Sequence, residues 1–158
     1  MRASSERRRS WCPISTALEM VGDRWSLLVV RDLMFSGFET YKELLSSEEG
    51  IATNVLADRL ERLEGLGIVT RERDPGDGRR VVYRLTARGI DLAPILLELG
   101  VWGVKYERGI GPTATLARRD ADRESALADM RARWNQGGVR TESKEARRKS
   151  KGPKEPPA

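Results

Sequence analysis

The chain has 158 residues, 39% of them hydrophobic and 34% charged, which leaves room for one domain with an ordinary core. It contains no histidine and one cysteine, Cys12, so it lacks the usual general base, the commonest metal ligand, and the means to form an intrachain disulfide or a cysteine-rich zinc site. The net charge of +5 sits at the ends, with +3 in residues 1–11 and +4 in residues 135–158, so basic surface in the middle can arise only from local clustering.

Residues 1–11 read as a basic flexible arm, with no signal-peptide core behind it. No apolar run approaches the roughly 18 residues that span a bilayer, so a cytoplasmic chain without membrane contact is expected. Cys12-Pro13 opens the first ordered element, because proline suits the first position of a helix; Cys12 is then its N-cap and Gly22 ends it after about Val21. Asp23 caps a second helix through Phe35, on which Trp25, Leu28, Val29 and Leu33 recur at helical spacing. Ser36-Gly37 breaks it. Thr40 and Glu43 form a capping box for a short helix over 41–45, with Tyr41, Leu44 and Leu45 turned inward. The longest periodic signal runs from Ala52 to Leu66, where Leu56, Leu60 and Leu63 share one stripe and Gly67 stops the helix.

Ile68 and Val69 begin a strand, Asp74-Pro75-Gly76-Asp77-Gly78 is dense in turn formers, and residues 81–85 alternate as a returning strand. Thr86 caps the next helix, whose Leu92, Ile95, Leu96, Leu99 and Trp102 form a broad apolar face. Pro94 inside that pattern, with Gly100 and Gly103, predicts a kink or early fraying. After a break at residues 109–112, a mostly charged helix over 115–134 carries one apolar stripe of Leu127, Met130 and Trp134. The organisation is an arm (1–11), a main domain (12–106), a helical extension (107–134) and a basic tail (135–158) with the composition of disorder.

Two helices, a short helix, a longer helix, a hairpin and a further helix in that order make a winged helix-turn-helix. The fold class is mainly α with one small β-hairpin, plus helices available for dimerisation. The longer helix suits the major groove of B-form DNA, and a two-stranded wing reaches the backbone or a minor groove. Projected at about 100° per residue, Asn54, Ala57, Asp58, Glu61 and Arg62 lie opposite the leucine stripe. Thr53, Asn54, Ala57, Asp58 and Arg62 are the candidates to face bases. Asn54 has the donor and acceptor pair that adenine complements, and Arg62 reaches guanine or a phosphate. Asp58 and Glu61 either accept from cytosine or pair with Arg62. Arg24, Thr40, Arg59, Arg79 and Arg80 are candidates for phosphates or the minor groove, whose negative potential suits a wing-tip arginine. Asp77 is near enough to brace one of the wing arginines, while Arg59 projects toward the buried side and is alternatively a bridge within the domain.

The chain resembles the HxlR family of bacterial winged-helix regulators, relatives of the MarR family, over residues 12–106. The resemblance rests on Cys12-Pro13, Gly22-Asp23-Arg24-Trp25, Tyr41-Lys42-Glu43-Leu44, Leu56-Ala57-Asp58-Arg59-Leu60 with Leu63 and Gly67-Ile68-Val69, and Val81-Val82-Tyr83-Arg84-Leu85-Thr86 with Gly89. It implies a homodimeric regulator, usually repressing or autoregulating, that binds a near-palindromic operator and dimerises through its first and C-terminal helices. Asp77-Gly78-Arg79 is similar to the wing-tip Asp-x-Arg of the MarR group, in which Asp orients Arg. Ala52 departs from the family's frequent Ser N-cap and leaves capping to Thr53; the helix over 115–134 and the basic tail lie outside the pattern.

Cys12 stands at a helix start with Arg7, Arg8 and Arg9 upstream, an electropositive setting suited to a reactive thiol. Some members of the resembled family sense oxidants or electrophiles through a cysteine at this place; the alternative is a small buried cap. Without a second cysteine only an adduct or an intersubunit disulfide can form. Trp25 and Trp102 either line an effector pocket between the DNA-binding and dimer helices or are core. The expected partners are double-stranded DNA, a second copy of the chain and an unidentified small-molecule effector. No cofactor, metal or catalytic residue is expected. The reading is a sequence-specific DNA-binding transcriptional regulator, and the alternative is a winged-helix protein-interaction module, favoured by the acidic Asp58 and Glu61.

Overall fold

The computed structural model describes residues 11–109 and 123–136. Most of the expected arm and tail, and the start of the last expected helix, lie outside the described residues. The elements are α1 (Pro13–Val21), α2 (Arg24–Arg31) running on as a π-turn (Asp32–Ser36), α3 (Tyr41–Leu45), α4 (Thr53–Gly65), β1 (Val69–Asp74), β2 (Asp77–Leu85), α5 (Ala87–Ile90), α6 (Ala93–Tyr106) and α7 (Arg123–Asn135).

Local chemistry sets most of the boundaries. Asp23 accepts from the Ser26 amide at 3.0 Å and from its hydroxyl at 2.5 Å, which starts α2. Burial opposes the charge of Asp23, but those Ser26 donors and the nearby Arg59 outweigh it and hold the carboxyl below its ordinary value. The Thr40–Glu43 capping box starts α3, and Thr86 caps α5 by accepting from the Gly89 amide at 3.2 Å. The π-turn closes on Gly37, whose φ of 64° is the left-handed conformation glycine adopts most cheaply. Gly89 is required for a different reason: a Cβ there would stand 2.3 Å from the Ile68 carbonyl, where α5 packs on the start of the hairpin.

The core lies where α4 crosses α2 and meets the hairpin. Leu56, Leu60 and Leu63 of α4 are buried with Val29, Val30, Leu33 and Met34, and with Val69, Tyr83, Leu85 and Leu97. Each such side chain contributes about 1.5–3 kcal/mol on leaving water. The strands pair antiparallel from Val69↔Leu85 to Arg73↔Val81, then slip, so that Asp74 pairs with Asp77 across Pro75-Gly76 and residues 78–80 arch out of the ladder.

Three local expectations are corrected. Ala52, not Thr53, is the N-cap of α4, without any side-chain cap bond, and Thr53 is the first helical residue. The helix expected after Thr86 is two helices, with Pro94 in the first turn of α6 instead of at a kink; its missing N–H is one that no helix start would use. Helix α6 then runs through Gly100 and Gly103 to Tyr106. Cys12 is the N-cap of α1, but its thiol makes no cap bond and is exposed, which removes the buried-cap alternative.

Helix α7 packs on the domain through the stripe read from the sequence. Met130 is buried, Leu127 and Trp134 lie against the core, and the Trp134 indole donates to the Leu85 carbonyl at 2.8 Å. Arg123 pairs with Glu98 at 3.2 Å and Arg131 with Asp91 at 3.0 Å, joining α7 to α6 and to the α5–α6 corner. Among the described residues no helix is long and apolar enough to cross a membrane.

Candidate nucleic-acid interface

Helix α4 presents Asn54, Ala57, Asp58, Glu61 and Arg62 to solvent, as its projection predicts, and Thr53 is exposed beside them. The Tyr41 hydroxyl donates to the Thr53 carbonyl at 2.7 Å, which pins the first turn of α4 to α3. With no side-chain cap and no acidic residue in that turn, the helix start offers its leading amides and the positive end of its dipole to the surroundings. Thr40 lies at the head of α3, where its hydroxyl donates to the Glu43 carboxylate at 3.0 Å and accepts from the Glu43 amide at 3.3 Å.

The second half of α4 is engaged with the rest of the protein. Arg59 lies 3.5 Å from Asp23 and 3.2 Å from Asp58, so Asp58 pairs with Arg59 and not with Arg62. The Arg59 Nε is buried without a partner. Arg62 donates to the Glu19 carbonyl at 2.5 Å, in the last turn of α1. Arg88 of α5 donates to the Leu66 carbonyl just beyond α4 at 2.9 Å and reaches the Met20 sulfur at 3.8 Å.

At the wing, the aspartates hold backbone. Asp74 accepts from the Gly76 amide at 2.8 Å and Asp77 from the Arg79 amide at 3.1 Å. The arginine that is braced is Arg80, by Asp74 at 3.4 Å and Glu39 at 3.8 Å, whereas the Asp77 side chain is placed on the Arg79 amide. Glu39 also lies 3.6 Å from Arg84, and its carbonyl accepts from the Tyr83 amide at 2.7 Å. One residue before the α3 cap, Glu39 thus ties the wing to the helix-turn-helix. Arg79 is exposed at the wing tip, with Arg71 and Arg73 exposed along β1.

Arg24 is exposed on α2, stacked 5.0 Å from the Trp25 ring centroid and paired with Glu49 at 2.9 Å. Glu49 also accepts from Arg31 at 2.9 Å. The hydrogen bonds from Arg31 and Arg24 hold the Glu49 carboxyl below its ordinary value. The Glu39 and Glu49 bridges were missed by sequence reasoning, because they join residues with no shared periodicity.

A second surface is apolar. Ile95, Leu99, Trp102 and Tyr106 form an outward row on α6, and Trp11, Ile14 and Leu18 are exposed at and on α1; Trp102 is 64% exposed and Ile14 71%. The inward side of α6 is Ala93 and Leu97, with Leu92 and Leu96 half-buried. A shallow groove on the outward row is lined by Pro94, Ile95, Glu98, Leu99 and Trp102. Trp25 packs half-buried against the core, as the second of its two alternatives has it, and of the two tryptophans Trp102 alone lines this groove.

A helix pinned at its start by the preceding short helix, followed by a hairpin with an exposed arginine, defines a winged helix-turn-helix protein. Residues 20–109 match the HxlR-like helix-turn-helix family, and the chain belongs to that family of transcriptional regulators. An uncharacterized HTH-type transcriptional regulator of Synechocystis sp. is 39% identical over 88 residues, 56% of this chain and 64% of that protein. An uncharacterized HTH-type transcriptional regulator of Mycobacterium tuberculosis is 38% identical over 104 residues, 65% of each chain. The chain therefore spans just under two thirds of the length of these two relatives. The HTH-type transcriptional regulator YodB of Bacillus subtilis is 32% identical over 96 residues, 60% of this chain and 85% of that one. Among solved structures, the redox regulator HypR in its oxidized form superposes with a TM-score of 0.55 at 30% identity, covering 63% of this chain and 100% of HypR. Reduced YodB superposes with a TM-score of 0.53 at 28% identity, covering 65% and 100%. Helix α7 lies beyond the family match.

Proposed function

We propose that the chain is a cytoplasmic, sequence-specific DNA-binding regulator that occupies a near-palindromic operator as a homodimer. The observation that carries this reading is the open start of α4: exposed Thr53, Asn54 and Ala57 beside amides that no side chain caps, with exposed Asp58 next to them already holding Arg59. Bases meet Thr53, Asn54, Ala57 and Asp58, and a phosphate fits the helix start, whereas Arg59 and Arg62, candidates for DNA contact by sequence, are withdrawn from that role because they hold Asp23 and the Glu19 carbonyl. Arg24, Thr40, Arg79 and Arg80 serve the backbone or minor groove. Arg24 and Arg80 already hold carboxylates, so part of their gain on DNA is offset by the partners they exchange.

The outward row of α6 with Ile14 and Leu18 supports the dimer, since two such rows pressed together leave water and place two reading helices on one duplex. A dimer that only occupies its operator acts by excluding other proteins, which makes it a repressor. The exposed thiol of Cys12 at the head of α1, in a chain similar to the redox regulator HypR, supports control of the dimer by an adduct or intersubunit disulfide. The basic residues near both ends add affinity that is independent of sequence and sensitive to salt.

Selection of bound fragments from a random DNA pool tests the reading. The expected product is a pair of inverted half-sites with centres about one helical turn apart. No retardation of any DNA at low salt would instead make the α4 face a protein-docking surface, with Asp58 and Glu61 as its charged contacts. Diamide should change DNA affinity in the wild type and not in Cys12→Ser.

A further inference from the structure

Helix α1 meets the core through its last turn, where Val21 is its one buried residue and Met20 packs half-buried beside it. Polar contacts reach the same turn. Arg59 and Arg62, one turn apart on α4, reach the α1–α2 corner at Asp23 and Glu19. Arg88 closes the set from the other side, between the Leu66 carbonyl and the Met20 sulfur. The outward face of α1 carries exposed Ile14 in its first turn and exposed Leu18 beside the held end.

We infer that Arg62, seconded by Arg88, is a positioning residue that fixes the angle between α1 and the reading helix and so sets the half-site spacing the dimer accepts. The inference rests on the reading above in which α1 and α6 form the dimer face. Arg62 holds the Glu19 carbonyl through one Nη donor, and Arg88 uses two donors of its rigid planar fork to join the Leu66 carbonyl to the Met20 sulfur, so the two guanidiniums together constrain direction as well as distance. The lever is long enough to matter. Ile14 lies five residues from Glu19, roughly 7.5 Å along the helix, so a tilt of about 15° displaces it by about 2 Å in each protomer and by about 4 Å across the dimer, on the order of the rise of one base pair. Arg62 therefore acts on specificity through geometry, without contacting a base.

The test is random-pool selection with wild type, Arg62→Gln, Arg88→Gln and the double variant, all checked for dimerisation by sedimentation. Both residues are exposed, so the variants should fold, and agreement between the two single variants guards against an effect peculiar to one. In the wild type one centre-to-centre spacing should exceed its neighbours by at least about tenfold. In the double variant that ratio should fall below about threefold while base preference within each half-site and the salt slope stay the same. An unchanged spacing in a dimeric double variant overturns the inference. So does loss of preference at one base with spacing kept, which would make Arg62 a base reader, or a salt slope reduced by about one, which would place it on a phosphate. A wild type that sediments as a monomer overturns the dimer reading itself, and a dimeric wild type with unaltered spacing in the variants overturns the inference alone.

Discussion

On α4 and the wing the exposed side chains are mostly polar, and many already hold partners within the protein; on α1 and α6 the exposed row is apolar and faces water. The two surfaces therefore suit contacts of different permanence. A polar face is stable in water, so it can bind and leave a highly charged duplex, with salt setting the balance. An apolar row gains about 25 cal/mol for each Å² removed from water and has no comparable stable free state, which favours a standing contact with a like surface. The same core supports both faces, because Leu56, Leu60 and Leu63 seat α4 while Ala93 and Leu97 seat α6.

The sharpest way to break this comparison is to give the apolar row charge. Leu99→Glu with Trp102→Glu should turn the dimer into a monomer in sedimentation and cut operator affinity by about 10²–10⁴-fold, the gain that two linked half-sites provide. Both residues are exposed, so thermal unfolding of the variant should match that expected for a folded monomer. A variant that stays dimeric would move the interface elsewhere.

A smaller effect separates the wing from α4. Arg79→Ala should weaken binding about equally on all sequences and lower the salt slope by about one, read by fluorescence anisotropy across a salt series. A loss confined to one sequence would make Arg79 a base reader.

The smallest effect concerns the α2 side, where carboxylates hold the arginines in place. Glu49 titrates below its ordinary 4.5 when folded, through its bonds from Arg31 and Arg24. The stability it contributes is present above that pH and is lost as pH falls through the lowered value. Glu49→Gln should be slightly less stable near neutral pH and should lose less stability below about pH 4.5. Urea unfolding at several pH values checks this; parallel curves would assign the acid sensitivity to other groups, with Asp23 the next to test.

The contrast between the two surfaces also separates what was legible in the sequence from what was not. Periodicity in Leu56, Leu60 and Leu63 and turn chemistry at Pro75-Gly76 are local signals, and they placed α4, the hairpin and the polar face. The stripe of Leu127, Met130 and Trp134 likewise marked the side α7 buries. Pro94 carried its signal too, but the apolar pattern around it read through the start of α6, where a proline costs no hydrogen bond. What stayed hidden is long-range pairing. Glu39 meets Arg80 and Arg84, and Arg62 meets a main-chain carbonyl 43 residues away. Neither meeting leaves a trace in spacing, because each depends on how helices cross. A projection shows which way Arg62 leaves α4, and only the fold shows that α1 ends there.

The central claim is that the first half of α4 reads bases, and Asn54→Ala tests it most directly. Affinity of wild type and variant should be measured by anisotropy, at one salt concentration, on the selected operator and on a scrambled duplex. The account predicts a loss of about 1–3 kcal/mol on the operator, roughly 5- to 150-fold, with little change on the scrambled duplex. Equal losses on both, or none on either, would contradict it.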